Sequence, residues 1–159
     1  MSQRVQISVI GAAESEEEIF RAAEEVGRRI AEAGAVLICG GRGGVMEAAS
    51  RGAAEAGGTV IGVLPTLSPG DANPYVTHAV ATGIGEARNL AVVASGEAVI
   101  AVGGEWGTLS EIAHARKIGR PVVAFQSWTL RNRAGTDLGI VEAETPEQAV
   151  SAALSAAGS

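Results

Sequence analysis

In the stretch AVGGEWGTLSEI, residues 101–112, Gly103, Gly104, Gly107, Thr108 and Glu111 stand where an apolar run ends and a helical pattern begins. Glycines at such a turn let backbone approach a phosphate, and the first turn of the following helix offers free N–H groups. Two further turns share this placement: Gly11 in VIGAAE, and Gly40, Gly41, Gly43 and Gly44 in CGGRGGVM. Two charged residues could add chemistry to that backbone cradle. Arg88, followed by Asn89 in GEARNL, offers a forked set of donors for phosphate or ribose oxygens. Glu111 can polarise water, stabilise an oxocarbenium-like sugar or simply face a bound ligand. The residue types therefore point to binding of a phosphorylated small molecule, with Thr108 adding a hydroxyl donor and Arg88 and Asn89 orienting the group.

Each of these residues also has a plainer reading. Thr108 and Glu111 have the spacing of a capping box, in which Glu111 would only secure a helix start. Arg88 could pair with Glu86 or another surface carboxylate, and Arg42 could be a solvated loop residue. Trp106 could stack on a flat ring or fill a subunit contact. Trp128 reads as packing over the sheet edge. Other chemistries lack their residues. CGGRGGVM has no lysine at the P-loop position, GAAESE lacks the GxGxxG pattern, and no GxSxG elbow occurs. His78 and His114 have no companions at metal-ligand spacing, so no metal site and no cofactor needed for catalysis are expected.

The elements that must hold the turns follow from periodicity. Short continuous apolar runs, VQISVIG, AVLICGG, TVIGVLP, AVIAVGG and PVVAFQ, alternate with helical stretches. This predicts an α/β, Rossmann-like fold with an open, mostly parallel sheet and helices on both faces. In SEEEIFRAAEEVGRRIAEAG, Ile19, Ala22, Ala23, Val26, Ile30 and Ala31 recur at helical spacing. Ser15 to Glu18 has capping-box spacing, and Gly34 supplies a stop. Thr145 before Pro146 predicts a closing helix. The segments from Pro65 to Gly85 and from Gln126 to Glu144 break the pattern and read as loops, the second with a short strand at LGIVEA. All three glycine turns thus fall at carboxyl ends of strands, along one edge of the sheet.

Composition bounds the setting. A chain of 159 residues predicts one domain, 1–159, and its 47% hydrophobic content with 3% aromatics predicts a core of small aliphatic side chains. Eighteen acidic against twelve basic residues give a net charge of −6, which disfavours nucleic acid. Cys39 is the sole cysteine and ends an apolar run, as a small core residue would. No leader pattern opens the chain and no apolar run approaches the roughly 18 residues that span a bilayer. The expectation is a cytoplasmic protein with no membrane partner.

The turns GGRGGVM and GGEWGTLSE, with EARN between them, resemble the GGxxGxM and GGxGTxxE marks of the LONELY GUY (LOG) and "lysine decarboxylase-like" Rossmann superfamily. Short length, the Arg88–Asn89 pair and AVGG in place of PGG are more similar to its small molybdenum-cofactor-carrier-like branch. The resemblance implies that Met46 joins the ligand-binding residues and that a nucleotide or molybdenum cofactor is held as ligand. It also implies a homodimer or homotetramer. In the cytokinin-activating enzymes of the superfamily, residues matching Arg88 and Glu111 are associated with cleaving the N-glycosidic bond of a nucleoside 5′-monophosphate. Here Asn89 stands in place of their lysine, Val102 in place of their proline and Glu47 in place of a glycine. A carrier for a phosphorylated heterocycle is therefore placed ahead of a phosphoribohydrolase, and an oligomeric nucleotide sensor is a third reading. No lysine has the setting of a Schiff-base site, so amino-acid decarboxylation is rejected.

Overall fold

The computed structural model describes residues 2–158. Seven strands form one sheet: β1 (Gln6–Ile10), β2 (Val36–Cys39), β3 (Val60–Leu64), β4 (His78–Ala81), β5 (Ala98–Val102), β6 (Val122–Phe125) and β7 (Ile140–Ala143). Their order is β4-β3-β2-β1-β5-β6-β7, and every pairing is parallel. Parallel neighbours require crossovers, of which four are helical, through α1 (Glu17–Glu32), α2 (Val45–Glu55), α3 (Arg88–Ser95) and α4 (Trp106–Lys117); β3–β4 and β6–β7 are joined without an α-helix, and α5 (Pro146–Ala157) follows the last strand. The expected α/β, mostly parallel architecture is what forms.

Burial explains the sequence runs. VLIC, AVIAV and VVAF are buried at every position because helices cover both faces of the central strands. One core layer joins the sheet to α1, α2 and α5 through Ile7, Val26, Ile30, Leu37, Ala49 and Ala149. The other joins it to α3 and α4 through Ile38, Val63, Val92, Val93, Val99 and Ile112. The strand at LGIVEA is present as β7, but β4 lies inside the segment read as a loop. His78–Ala81 is short and only alternately half-buried, as an edge strand is, so it carries no continuous apolar run.

Helix ends follow local chemistry in part. After Ala33, Gly34 takes φ 77°, its N–H donates to Ala31 and the N–H of Ala35 to Ile30, which stops α1 as expected. Thr145 Oγ1 accepts from the N–H of Gln148, and Pro146 opens α5. The Ser15 capping box does not form: Glu16 is the N-cap of α1, and no side chain caps it. Between α1 and α2 the backbones nearly touch. A Cβ on Gly27 would lie 1.9 Å from the Ala49 carbonyl oxygen, and one on Gly52 1.9 Å from that of Glu24. Two glycines, one per helix, thus set the depth to which α1 and α2 interlock.

Candidate functional site

The chain leaves β1 toward β4 on one side and returns through β5 to the other, so the connections that follow the paired strands β1 and β5 part to opposite faces of the sheet. A crevice opens at such a switch point. Here it is a cavity of ≈ 330 Å³, lined by Gly11, Ala12 and Ala13 after β1, Gly40 and Met46 from β2 and α2, and Glu86, Arg88 and Asn89 at the start of α3. Glu105, Gly107, Thr108 and Glu111 close it from the β5–α4 turn, with Val9 and Ile10 behind. Its volume suits one small ligand. Gly107 and Thr108 are in the first turn of α4, where backbone N–H groups lack helical acceptors.

Arg88 is fixed from below. Its Nη1 donates to the carbonyl of Gly40 at the end of β2 and, at 2.9 Å, to that of Val63 in β3, while Nε is buried without a partner. The guanidinium lies where a Cβ on residue 40 would be, 1.9 Å from its Nη1, so only glycine at that position admits it. Burial lowers the Arg88 pKa from its ordinary value, partly offset by the Glu111 charge. The alternative pairing of Arg88 with Glu86 is not formed.

Glu111 resolves differently from its capping alternative. α4 starts at Trp106 with Glu105 as N-cap, which puts Thr108 inside the first turn and Glu111 one turn further in. The capping box cannot form there, because neither residue occupies the N-cap. Instead Thr108 and Glu111, three apart, share the face that lines the cavity. Burial pushes the Glu111 carboxyl up to about 7 despite the opposing effect of Arg88. Neither a hydrogen bond nor a salt bridge ties Glu111 to any described residue.

The glycines divide. Gly11, Gly40 and Gly107 line the cavity. Gly103 and Gly104 line a neighbouring depression of ≈ 440 Å³ with Glu14, Ser15, Glu16 and Gln126, which shares Ala12 and Glu105 with the first. Gly41, Gly43 and Gly44 line neither. Gly41 lies against Gly62 and Leu64 and its carbonyl accepts from the N–H of Asn73 at 2.8 Å; Gly44 caps α2 over the carbonyls of Ala12 and Ala13. Asn73 also donates from Nδ2 to the carbonyl of Arg42 at 2.9 Å, so the segment after β3 clamps the second glycine turn. Sequence reasoning missed Ala12, Ala13, Glu86 and Glu105 as cavity residues, and Asn73 as the clamp. Their only signal is proximity to the turns.

The remaining candidates lie apart. Cys39 is buried beneath the site, 3.4 Å from Ser50 Oγ, and burial raises its thiol pKa. Trp106, 76% exposed, tilts against Trp128 with ring centroids 5.1 Å apart, and Trp128 Nε1 donates to the Glu105 carbonyl. Neither indole lines the cavity. Among the described residues no group of three or more His, Cys, Asp or Glu could hold a metal ion, and no helix is long and apolar enough to cross a membrane.

Comparison with known proteins identifies a family and similar structures. Residues 4–150 match the SLOG cluster4 family. An uncharacterized protein of Archaeoglobus fulgidus is 44% identical over 151 residues, covering 95% of each chain. The structure of the molybdenum cofactor binding protein of Rippkaea orientalis superposes with a TM-score of 0.87 at 34% identity, over 98% of both chains. That of the molybdenum cofactor carrier protein of Chlamydomonas reinhardtii gives 0.84 at 33%, over 99% of this chain and 100% of the other.

Proposed function

The chain belongs to the SLOG cluster4 family, in the molybdenum-cofactor-carrier-like branch that its motifs resemble, and on that footing we propose that it binds and carries a phosphorylated heterocycle. The ligand is a nucleotide or a molybdenum-cofactor-like molecule, taken as cargo in the cavity at the strand carboxyl ends. The observation that carries this reading is the cavity itself, at the switch point of a chain that superposes nearly end to end on two such binding proteins. Gly107 and Thr108 would receive the phosphate at the α4 N-terminus, Gly11, Gly40 and Met46 would form the floor, and Arg88, Asn89 and Glu111 would face the ligand. Gly41, Gly43, Gly44, Gly103 and Gly104 would shape the turns around it.

Hydrolysis of a nucleoside 5′-monophosphate is the second reading, and one observation favours it. A carboxyl at about 7 is poised for proton transfer near neutral pH, and it shares the cavity with an arginine. Incubation with AMP and isopentenyl-AMP, with free base and ribose 5-phosphate followed by chromatography, separates the two. Intact ligand retained on the protein supports the carrier; release that Glu111→Ala abolishes makes it a phosphoribohydrolase. We further propose a homodimer or homotetramer in the cytoplasm, without nucleic-acid partners. Leu90 on α3 and Trp106 on α4, exposed on the same side of the sheet, support the subunit contact, and the net charge of −6 argues against nucleic acid.

A further inference from the structure

The start of α4 is held from outside the helix. Glu105 is its N-cap and no side chain caps it, so α4 lacks the local device that would fix its first turn. A residue 23 positions further on supplies the restraint. Trp128 donates from Nε1 to the Glu105 carbonyl at 3.1 Å, the same oxygen that accepts the N–H of Leu109 at 3.0 Å. Its ring also packs against that of Trp106, the first residue of α4, with centroids 5.1 Å apart. Trp128 is anchored in turn, packed with Leu130 on the core layer that joins the sheet to α3 and α4. The segment that delivers it leaves β6 through Gln126, which at φ 46° is the one non-glycine residue in the left-handed region among those described. Such strain persists where the surroundings over-determine the backbone, and here the neighbouring Phe125 carbonyl is tied to the β5–α4 turn by the N–H of Gly103 at 3.0 Å.

Glu105, Gly107 and Thr108 line the cavity, whereas Trp128 does not. We propose that Trp128 is a positioning residue for the cavity: from the segment after β6 it fixes the uncapped start of α4, and with it these three lining residues. This rests on the reading of the cavity as a ligand site and concerns its geometry, not what enters it. With the start of α4 left loose, its first-turn N–H groups would be spread over several positions. A ligand that needs them together would then have to order them, at a cost in affinity.

The test compares wild type, Trp128→Phe and Trp106→Phe by amide hydrogen exchange, thermal melting and retention of molybdenum cofactor on gel filtration. Trp128→Phe keeps an aromatic ring and loses the donor, whereas Trp106→Phe keeps both the ring pair and the donor. In Trp128→Phe the Leu109 amide is expected to exchange faster by about three- to tenfold, with the amides from Ile112 to Lys117 and the Tm near wild type. Retained cofactor is expected to fall in the same variant, and Leu109 in Trp106→Phe to exchange as in wild type. Unchanged Leu109 exchange in folded Trp128→Phe, equal acceleration in both variants, or wild-type retention despite faster exchange overturns the positioning role. Faster exchange along the whole of α4 marks a general loss of stability and overturns it as well. Folded wild-type protein that retains no cofactor overturns the carrier reading instead, and the exchange pattern alone then decides whether Trp128 holds the start of α4.

Discussion

Arg88 and Glu111 line the same cavity without a hydrogen bond or salt bridge between them, each carried by its own helix. Arg88 is anchored to the ends of β2 and β3 by its bonds to Gly40 and Val63, whereas Glu111 is carried on α4, one turn in from the helix start. The two opposite charges thus sit at one cavity without forming an ion pair with each other.

Glu111 should leave a mark on stability. Its folded pKa of about 7 lies above the ordinary 4.5, so the native state holds a proton that the unfolded chain releases. Its contribution is fully present below pH 4.5 and is lost as pH rises through about 7. Glu111→Gln should remove that slope and be more stable than wild type at pH 8, by roughly 1–2 kcal/mol for a half-buried group. Urea unfolding of both proteins across pH 4 to 8 checks this; parallel curves would contradict it.

Removing Arg88 should cost stability as well as binding. Arg88→Ala leaves the Gly40 and Val63 carbonyls without their side-chain donor, at roughly 1–3 kcal/mol. Arg88→Lys should recover little of the binding, because an ammonium lacks the fork that reaches two carbonyls and a ligand together. Denaturation and ligand titration of both variants are the measurements.

Gly52→Ala should overpack the α1–α2 contact. The added methyl meets the Glu24 carbonyl, and the helices must part, at about 1–3 kcal/mol. For a chain of this size that lowers Tm by roughly 2–12 °C. Gly57→Ala is the control for glycine loss at an open position, where strain comes only from its φ of 74°.

Much of this was legible because parallel strands buried on both faces read as continuous apolar runs, which placed the glycine turns at one edge. The strand His78–Ala81 was not, since an edge strand needs no such run and HAVA resembles a loop until β3 is beside it. Nor could spacing decide Glu111. The four residues from Thr108 fit a capping box and a ligand-facing helix equally, and the helix start at Trp106 decides between them. Among the glycines, sequence does not distinguish Gly40, which admits a guanidinium, from Gly41, which packs on β3.

Gly104→Val should abolish ligand binding. Gly104 has φ 124°, and its Cβ would lie 2.5 Å from the Thr108 side chain, so the valine displaces the cavity's hydroxyl and the α4 start. Retained affinity in a folded variant would remove the β5–α4 turn from the site.

The most direct test of the carrier reading is to mix the purified protein with molybdenum cofactor released from a molybdoenzyme, separate bound from free by gel filtration, and recover the cofactor. Intact cofactor is expected to elute with the wild-type protein and not with Arg88→Ala. Folded wild-type protein that emerges without cofactor would contradict it.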